Sequence, residues 1–466
     1  MSNHGRGGRS RRQYLAAFVA AGATGVAGCR GESEDADGTA DQSTTGAATA
    51  TATATAAPAR ALERYDVAVS HERSQSPDTD WTAPTTSPME TPLATEALIE
   101  DLEIPWDLSF AADGTLFLTE RVGRVLSFAD GTVRTVTEPA AVIDAESSDD
   151  GWWVTGGEGG TLGVAAHPTY PDPPVVYVYY TTMTDDDERV NRVVAMDVSA
   201  EDPAATESVL VDGIPGSKIH NGGRLTFGPQ NYLWITTGDA GVGELSADTD
   251  SLGGKVLRVT PAGDPAPGNP DLGGDPRVFT YGHRNPQGLA WLPDGTVVAS
   301  EHGPTGRDEL NRLEAGGYYG WPDTREHEEY LDADPEVRRP LANTGNVGGW
   351  APSGSLFYTG DAVPSLRNRL LTGGLKGQKL LATTVTPAGG DLPPGDDAEV
   401  YDADWTDDAY TATTHSLLAD ELGRIRHAEQ GPDGGLYLVT SNRDGRAGDG
   451  FPREHDDVLV RVTPAE

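Results

Sequence analysis

The sequence has very little cysteine and lysine. Cys29 is the single cysteine among 466 residues, which excludes a disulfide framework and a cysteine-rich zinc site. Against 73 Asp and Glu residues and a formal net charge of −39, lysine occurs only at Lys218, Lys255, Lys376 and Lys379. A nucleic-acid partner needs a basic face, so the composition argues against one. It predicts instead an acidic, solvated surface that keeps the protein soluble in high salt.

The N-terminus departs from this acidic pattern and has the features of an export signal. Residues Ser10 to Leu15 resemble a twin-arginine signal, and Gly25 to Cys29 resemble a lipobox. The apolar run between them is about 14 residues, too short to span a bilayer. We therefore expect an exported lipoprotein of the haloarchaeal type. It would be anchored through Cys29 on the outer face of the cytoplasmic membrane, with no other membrane contact. A lone cysteine in an ordinary signal peptide is the alternative.

Composition divides the chain into four parts. A signal peptide covers residues 1–29, and a Thr/Ala-rich tether, predicted to be disordered, covers residues 30–60. An N-terminal extension follows over residues 61–94. From residue 95 to residue 466, short strand-like runs alternate with turn signals.

One unit recurs along residues 95–466. It is an apolar alternation, a Pro-Asp-Gly-like turn and a second alternation that ends in Thr or Ser. Its turns recur at intervals of 58 to 70 residues, at Asp113, Asp172, Gln230, Asp294, Pro364 and Asp433. Six such hairpins predict an all-β fold, a six-bladed β-propeller of four-stranded antiparallel blades. A two-sheet sandwich is the alternative, but the region is too long for one.

Several common catalytic motifs are absent. The sequence has no HExxH zinc motif, no Walker loop and no Gly-x-Ser-x-Gly elbow. The glycine-rich stretch Gly157 to Gly160 does not have the spacing of a dinucleotide loop, and no helix is predicted after it. Nicotinamide chemistry is therefore not expected.

The chemistry is expected in the loops beside the strands. His220 precedes one strand, and Asp239 closes the hairpin behind it, so a carboxylate could fix the imidazole tautomer and leave the other nitrogen as a base. Arg284 and Asn285 could donate to a carbonyl or an oxyanion. The alternative for His220 is a purely structural role. The alternative for the loops is that they are only solvated connections between strands.

Three cations follow on later repeats. Lys376 lies in the glycine-rich segment Gly373 to Gly377. Arg424 and Arg426 are two residues apart, which places both on one face of a strand. Each arginine alone is explained by surface ion pairing in an acidic protein. If these three cations and Arg284 surround the central channel of the predicted propeller, they indicate a polyanionic ligand.

Six segments taken together resemble the soluble quinoprotein sugar dehydrogenases, the glucose/sorbosone or aldose sugar dehydrogenase family. The resemblance covers about residues 104 to 462, and its segments are 220–224, 253–259, 282–288, 301–304, 308–311 and 319–322. It implies a six-bladed propeller that binds pyrroloquinoline quinone (PQQ) and calcium and oxidises the anomeric hydroxyl of aldoses to lactones. Electrons would leave to an external acceptor such as a quinone or a small copper protein.

The resemblance also implies roles for single residues. His220 corresponds to the general base and Asp239 to the residue that orients it. Arg284 and Asn285 correspond to groups beside the reactive quinone carbonyl. Lys376, Arg424 and Arg426 correspond to residues that pair with the carboxylates of PQQ. The carbonyls of Gly303 and Pro304 correspond to ligands of the catalytic calcium. Asp308, Glu309 and Tyr319 correspond to a structural calcium site.

The sequence departs from the family in three places. Glu158, expected beside the cofactor, stands where glutamine is usual, and Ser441 and Asn442 stand where an aspartate is usual. The loop around Trp350, the expected substrate contact, keeps only part of the family's aromatic pattern. Two other functions stay open, a non-catalytic sugar- or protein-binding propeller and a calcium-dependent sugar lactonase. The cationic set argues against both, because a scaffold does not need it and a lactonase needs a carboxylate cage.

Overall fold

A computed structural model describes residues 59–73, 76–143, 157–333, 337–346 and 348–465. The expected signal peptide, the lipobox and almost all of the tether lie outside these residues. Within the described ranges, no helix is both long enough and apolar enough to cross a membrane.

The described chain is built almost wholly from strands, numbered here in chain order. The first strand, β1, is Leu93–Ile99. The first blade consists of β2 Pro105–Phe110, β3 Leu116–Glu120, β4 Val125–Ala129 and β5 Thr132–Thr137, and the second of β6 Thr161–Ala166, β7 Val175–Met183, β8 Arg189–Asp197 and β9 Ser208–Pro215. The third blade consists of β10 Leu225–Phe227, β11 Leu233–Thr236, β12 Lys255–Val259 and β13 Val278–Tyr281.

The last three blades follow in the same order. The fourth blade consists of β14 Pro286–Trp291, β15 Val297–Glu301, β16 Glu309–Leu313 and β17 Ala342–Asn343. The fifth consists of β18 Pro352–Tyr358, β19 Arg369–Gly374, β20 Lys379–Pro387, β21 Ala398–Tyr401 and β22 Tyr410–Leu417. The sixth consists of β23 Ile425–Gln430, β24 Leu436–Thr440 and β25 Leu459–Pro464, together with β1. The helices are short: α1 Ala61–Arg64, α2 His327–Asp332 and the 3₁₀ turns Pro88–Glu90, Ala204–Thr206, Gly243–Ser246 and Pro364–Leu366.

The six-bladed propeller predicted from the repeats is confirmed. Each of the six repeated turns lies between the innermost and the second strand of a blade. The fifth blade carries one strand more than predicted, because β21 pairs with the outer side of β22. The ring closes where β1 pairs antiparallel with β25, so the two ends of the folded region share one blade and protect its edge.

Packing between blades explains why the strands contain more apolar residues than a simple alternation of apolar and polar residues would give. Eight of the nine residues of β7 are buried, because both faces of a blade pack against neighbouring blades. In five blades the register slips by one residue near the start of the innermost strand. Such bulges redirect side chains beside functional sites.

Antiparallel pairing fixes where the loops lie. The start of each innermost strand is next to the end of the second strand, as Pro105 is to Glu120 and Pro286 is to Glu301. The loops at these two positions therefore gather at one end of the propeller from every blade. The repeated turns lie at the other end.

Candidate active site

A cavity of about 410 Å³ lies at the end where these loops gather. That volume is in the range of roughly 300 to 1,000 Å³ typical of ligand pockets. Its lining residues are Trp106, Arg121, Glu158, Gln287, His302, Ala351, Leu375, Lys376, Arg424, Arg426 and Arg446. Five of them are cations and one is a carboxylate, so the cavity suits an anionic ligand.

His220 is held beside this cavity in a constrained conformation. Its φ is +55°, in the left-handed region, and its carbonyl passes so close to Gly238 that a side chain there would collide with it. Nδ1 of His220 lies 2.6 Å from Oδ1 of Asp239. The carboxylate therefore fixes the Nδ1–H tautomer and leaves Nε2 as the basic nitrogen.

A tryptophan fixes Asp239 in turn. Nε1 of Trp321 donates to Oδ2 of Asp239 at 2.7 Å. The guanidinium groups of Arg284 and Arg325 lie 5.4 and 4.8 Å from the centre of the indole. Trp321 was part of a recognised segment, but no role was predicted for it. The predicted pair of His220 and Asp239 is thus part of a hydrogen-bonded group of three residues.

Arg284 and Asn285 lie on the loop next to His220. Oδ1 of Asn285 accepts the N–H of Gly222 at 3.0 Å, two residues after His220. Nη1 of Arg284 donates to the carbonyl of His302 at 3.0 Å, while its Nε is buried without an acceptor among the described residues. His220, Arg284 and Asn285 adjoin the cavity through Glu158 and His302 and are not part of its wall.

The three predicted cations do line the cavity. Nη2 of Arg424 bonds to the buried Asp444 at 2.8 Å, and Nη1 of Arg426 bonds to Oε1 of Gln287 at 3.1 Å. Burial alone would raise the pKa of Asp444, but the surrounding guanidinium groups lower it to about 2. Nε of both arginines is buried with no acceptor in the described part of the chain, so the cluster keeps unused donors.

Sequence reasoning missed Arg121 and Arg446. Both follow the second strand of a blade, β3 and β24 respectively, as Asp239, His302 and Lys376 do in theirs. That shared position after the second strand is the signal that could have found them. The substitutions noted at Ser441 and Asn442 lie in the same loop as Asp444 and Arg446.

Of the three residues expected around a structural calcium, Glu309 and Tyr319 line one small cleft, and Asp308 is not part of its wall. Asp308 accepts the N–H groups of Gly303, Trp350 and Ala351. The hydroxyl of Tyr319 donates to the carbonyl of Arg312 at 2.6 Å. Glu309 turns to a different buried network.

That network pairs two carboxylates. Nδ2 of Asn311 donates to Oε2 of both Glu309 and Glu301, at 3.1 and 3.3 Å. Burial, and then the neighbouring Glu301, raise the pKa of Glu309 to about 7. Among the described residues, no three His, Cys, Asp or Glu side chains form a metal-binding group.

Trp350 also differs from expectation. Its side chain is 3% exposed, in the core shared by the fourth and fifth blades, with its ring 5.8 Å from that of Tyr401. The indole does not line the cavity. Among the described residues, the indole that lines the cavity is that of Trp106.

A sequence profile of the Glucose / Sorbosone dehydrogenase family matches residues 102–449. The chain belongs to this family. Membership in the glucose/sorbosone dehydrogenases makes it an oxidoreductase of the sugar dehydrogenase type.

Three relatives illustrate the likeness. An oxidoreductase of Thermus thermophilus described as a glucose dehydrogenase is 37% identical, with a TM-score of 0.64 over 79% of this chain and 99% of that one. The PQQ-bound aldose sugar dehydrogenase of Streptomyces coelicolor is 30% identical, with a TM-score of 0.63 over 82% and 99%. Aldose sugar dehydrogenase YliI of Escherichia coli K12 is 29% identical over 78% of this chain and 93% of its own.

Proposed function

We propose that this glucose/sorbosone dehydrogenase oxidises the anomeric hydroxyl of aldoses to lactones, with PQQ and calcium as cofactors. The observation that carries the proposal is the position of a carboxylate-bound histidine next to a cavity lined by five cations. Bound PQQ would accept the hydride from the anomeric carbon, and calcium would polarise the quinone.

The cavity fits a flat polycarboxylate. Trp106, Ala351 and Leu375 supply apolar wall, and Lys376 with the arginines supplies the positive charge. Nε of Arg424, Nε of Arg426 and Nε2 of His302 are buried and have no partner in the described chain. A ligand with several acceptor oxygens would satisfy groups that are otherwise costly to bury.

His220 is the base in this proposal. Its Nε2 takes the proton of the anomeric hydroxyl, and Asp239 stabilises the resulting imidazolium through Nδ1. Arg284 and Asn285 hold the adjoining loops by their bonds to His302 and Gly222. Among the described residues that line the cavity, Glu158 is the single carboxylate and is bound by Arg446, so this part of the wall has no acidic cage of the kind a calcium lactonase requires.

The carbonyls of Gly303 and Pro304 are the proposed calcium ligands. Both residues line a small cleft with Arg284 and Glu301, and Asp308 fixes the loop through the N–H of Gly303 at 2.9 Å. Carbonyl oxygens suit calcium, a hard cation.

The sequence supports a proposal on location. The protein would leave the cell by the twin-arginine route and remain on the outer face through a lipid on Cys29. There it would pass electrons to a quinone or a small copper protein. The Cys29→Ala variant should be exported but released into the medium, and retention in washed membranes would contradict the anchor.

Reconstitution tests the activity. Protein from residue 59 onward, in high salt with PQQ and Ca²⁺, should reduce a dye in the presence of aldoses, and chelation with EGTA should remove the activity reversibly. The His220→Asn variant should lose at least about a hundredfold in kcat, the range typical of a general base, while still binding PQQ.

PQQ binding provides a separate measurement. Quenching of tryptophan fluorescence reports occupancy because Trp106 lines the cavity. Arg426→Gln should weaken PQQ binding at least about tenfold, since it removes a buried charged donor, whereas Arg367→Gln changes an exposed ion pair and should not. Failure of the unmodified protein to bind PQQ would favour the lactonase or the binding propeller.

A further inference from the structure

Apart from Glu158 in the cavity wall, the glycine-rich loop Gly157–Gly160 has no role in the proposed chemistry, yet its backbone is tightly constrained. A side chain at Gly157 would collide with the carbonyl of Lys218, and one at Gly160 with that of Arg121. The N–H of Glu158 donates to the carbonyl of Lys218 at 2.9 Å. The loop is thus pressed against the segment that ends in His220.

A buried arginine clamps this loop from the other side. Arg121 is 1% exposed, and its guanidinium donates to the carbonyls of Gly157 and Gly159, on both sides of Glu158. The position of Glu158 is therefore fixed before its side chain makes any contact.

Both carboxylate oxygens of Glu158 have specific partners. Oε2 accepts the backbone N–H of His220 at 2.9 Å, and Oε1 accepts Nη1 of Arg446 at 2.8 Å. Arg446 also lies 3.5 Å from Asp444, which binds Arg424. A continuous chain of charges thus joins the cationic cavity to the main chain of the base.

The bond to His220 fixes a strained residue. His220 has a positive φ, which is uncommon outside glycine and is maintained only where the surroundings impose it. Glu158 holds its N–H, Asp239 holds its ring, and the N–H of Ala240 binds its carbonyl at 3.2 Å. Of these three contacts, Glu158 is the one linked to the cavity.

We propose that Glu158 is a positioning residue for His220 and that Arg446 keeps its carboxylate ionised for this role. The catalytic consequence rests on the function proposed above. The glutamate at this position is then matched to Arg446 of the sixth blade, which a glutamine would not require.

Electrostatics agree with the geometry. Burial alone would raise the pKa of Glu158, but Arg446 and the N–H of His220 lower it to about 2. Without Arg446 the burial effect should dominate, and the carboxyl should titrate at a much higher pH. In the described part of the chain, the charged or titratable groups that act on Glu158 are Arg446, His220, Arg121, Arg284 and His302.

The first test needs neither PQQ nor a sugar. NMR of the cofactor-free protein with ¹³C-labelled glutamate carboxyls follows Glu158, assigned by its absence in Glu158→Gln. The signal should be flat from about pH 4 to 8 in the unmodified protein, should titrate in that window in Arg446→Gln, and should be flat again in Arg446→Lys. A flat signal in Arg446→Gln would overturn the proposal.

The second test separates positioning from substrate binding. Glu158→Gln keeps an acceptor for the N–H of His220, so the variant should fold. It loses the charge of that acceptor and the ion pair with Arg446, so kcat should fall by about tenfold with little change in KM. In Arg446→Gln, kcat should fall further at acid pH, where Glu158 becomes protonated. The double variant Glu158→Gln, Arg446→Gln should not show this fall, because it has no carboxyl at position 158. An unchanged kcat in Glu158→Gln, or a change only in KM, would contradict the role, even if Arg446→Gln did not fold.

Matched controls lie on the outer part of the second blade. Glu207 accepts the N–H of Ala140 at 2.9 Å, and Arg192 binds Asp212. Glu207→Gln and Arg192→Gln should leave kcat and the Glu158 signal unchanged. If the NMR result is as expected but no aldose is oxidised, the proposed function is wrong and the role of the Glu158–Arg446 ion pair is supported. If aldoses are oxidised but the Glu158 signal is flat in Arg446→Gln, the proposed function is supported and the role of the ion pair is wrong.

Discussion

At the scale of single residues, the base is fixed by contacts that extend outward from His220. Asp239 binds the ring and is itself 1% exposed. Its second oxygen accepts Nε1 of Trp321, so both oxygens are satisfied without water. An orienting carboxylate of this kind keeps one tautomer and one ring direction.

The Trp321→Phe variant removes this second hydrogen bond and keeps an aromatic ring beside Arg284 and Arg325. We expect kcat to fall about ten- to hundredfold, because a hydrogen bond to a charged group contributes about 1.5 to 3 kcal/mol. Steady-state kinetics with an aldose and a dye measure it. Trp405→Phe, a ring that packs on Tyr330 away from the cavity, is the control. Equal kcat in the two variants would mean that Asp239 does not need Trp321.

At the scale of elements, the segment before β1 acts as a strap across the end opposite the cavity. We use the name N-terminal strap for residues 59–73 and 76–92. The N–H of Leu62 donates to Ser208, the ring of His71 stacks on Tyr232, and Trp81 packs against Phe357. The strap thus contacts the second, third and fifth blades before β1 joins the sixth.

The Trp81→Ala variant tests whether the strap stabilises the propeller. Trp81 is partly buried against the core of the fourth and fifth blades, with its ring 5.5 Å from that of Phe357. Its loss should lower the free energy of unfolding by about 2 kcal/mol, less than for a fully buried tryptophan. Met89 is 44% exposed on the same strap, and Met89→Ala should have almost no effect in the same denaturant titration. Equal stability of both variants would show that the strap does not contribute.

At the scale of the whole molecule, charge dominates. The net charge is −39, and runs such as Asp185 to Asp187 are exposed. Such charge favours solubility but destabilises the compact state by repulsion. The cationic cavity is a local exception, and its positive groups are largely buried among carboxylates and carbonyls.

Salt should therefore raise the stability of the protein. The screening length falls from about 10 Å at 0.1 M to about 3 Å at 1 M, so the melting temperature in KCl should rise steeply across this range. The triple variant Asp185→Asn, Asp186→Asn, Asp187→Asn should melt higher than the parent at 0.1 M and show a smaller salt dependence. Parallel melting curves for the two proteins would indicate a general salt effect on apolar burial.

The sequence by itself determined the repeated architecture and most of the polar loops. Strand alternation and turn residues are local properties, so the six hairpins from Asp113 to Asp433 could be found by spacing. His220, Arg284, Lys376 and Arg426 could be singled out because charged and imidazole groups beside strands are recognisable without a structure.

Only the tertiary structure decided which of these groups meet. Glu158 and Arg446 bond across 288 positions of sequence, a pairing that exists because ring closure brings a loop of the sixth blade beside the loop that leads from the first blade to the second. Asp308 and Glu309 are adjacent in sequence but serve different networks, since neighbouring residues of an extended chain point to opposite sides. Trp350 was expected in the site and lies in the core, because burial of an indole depends on the blade packed against it.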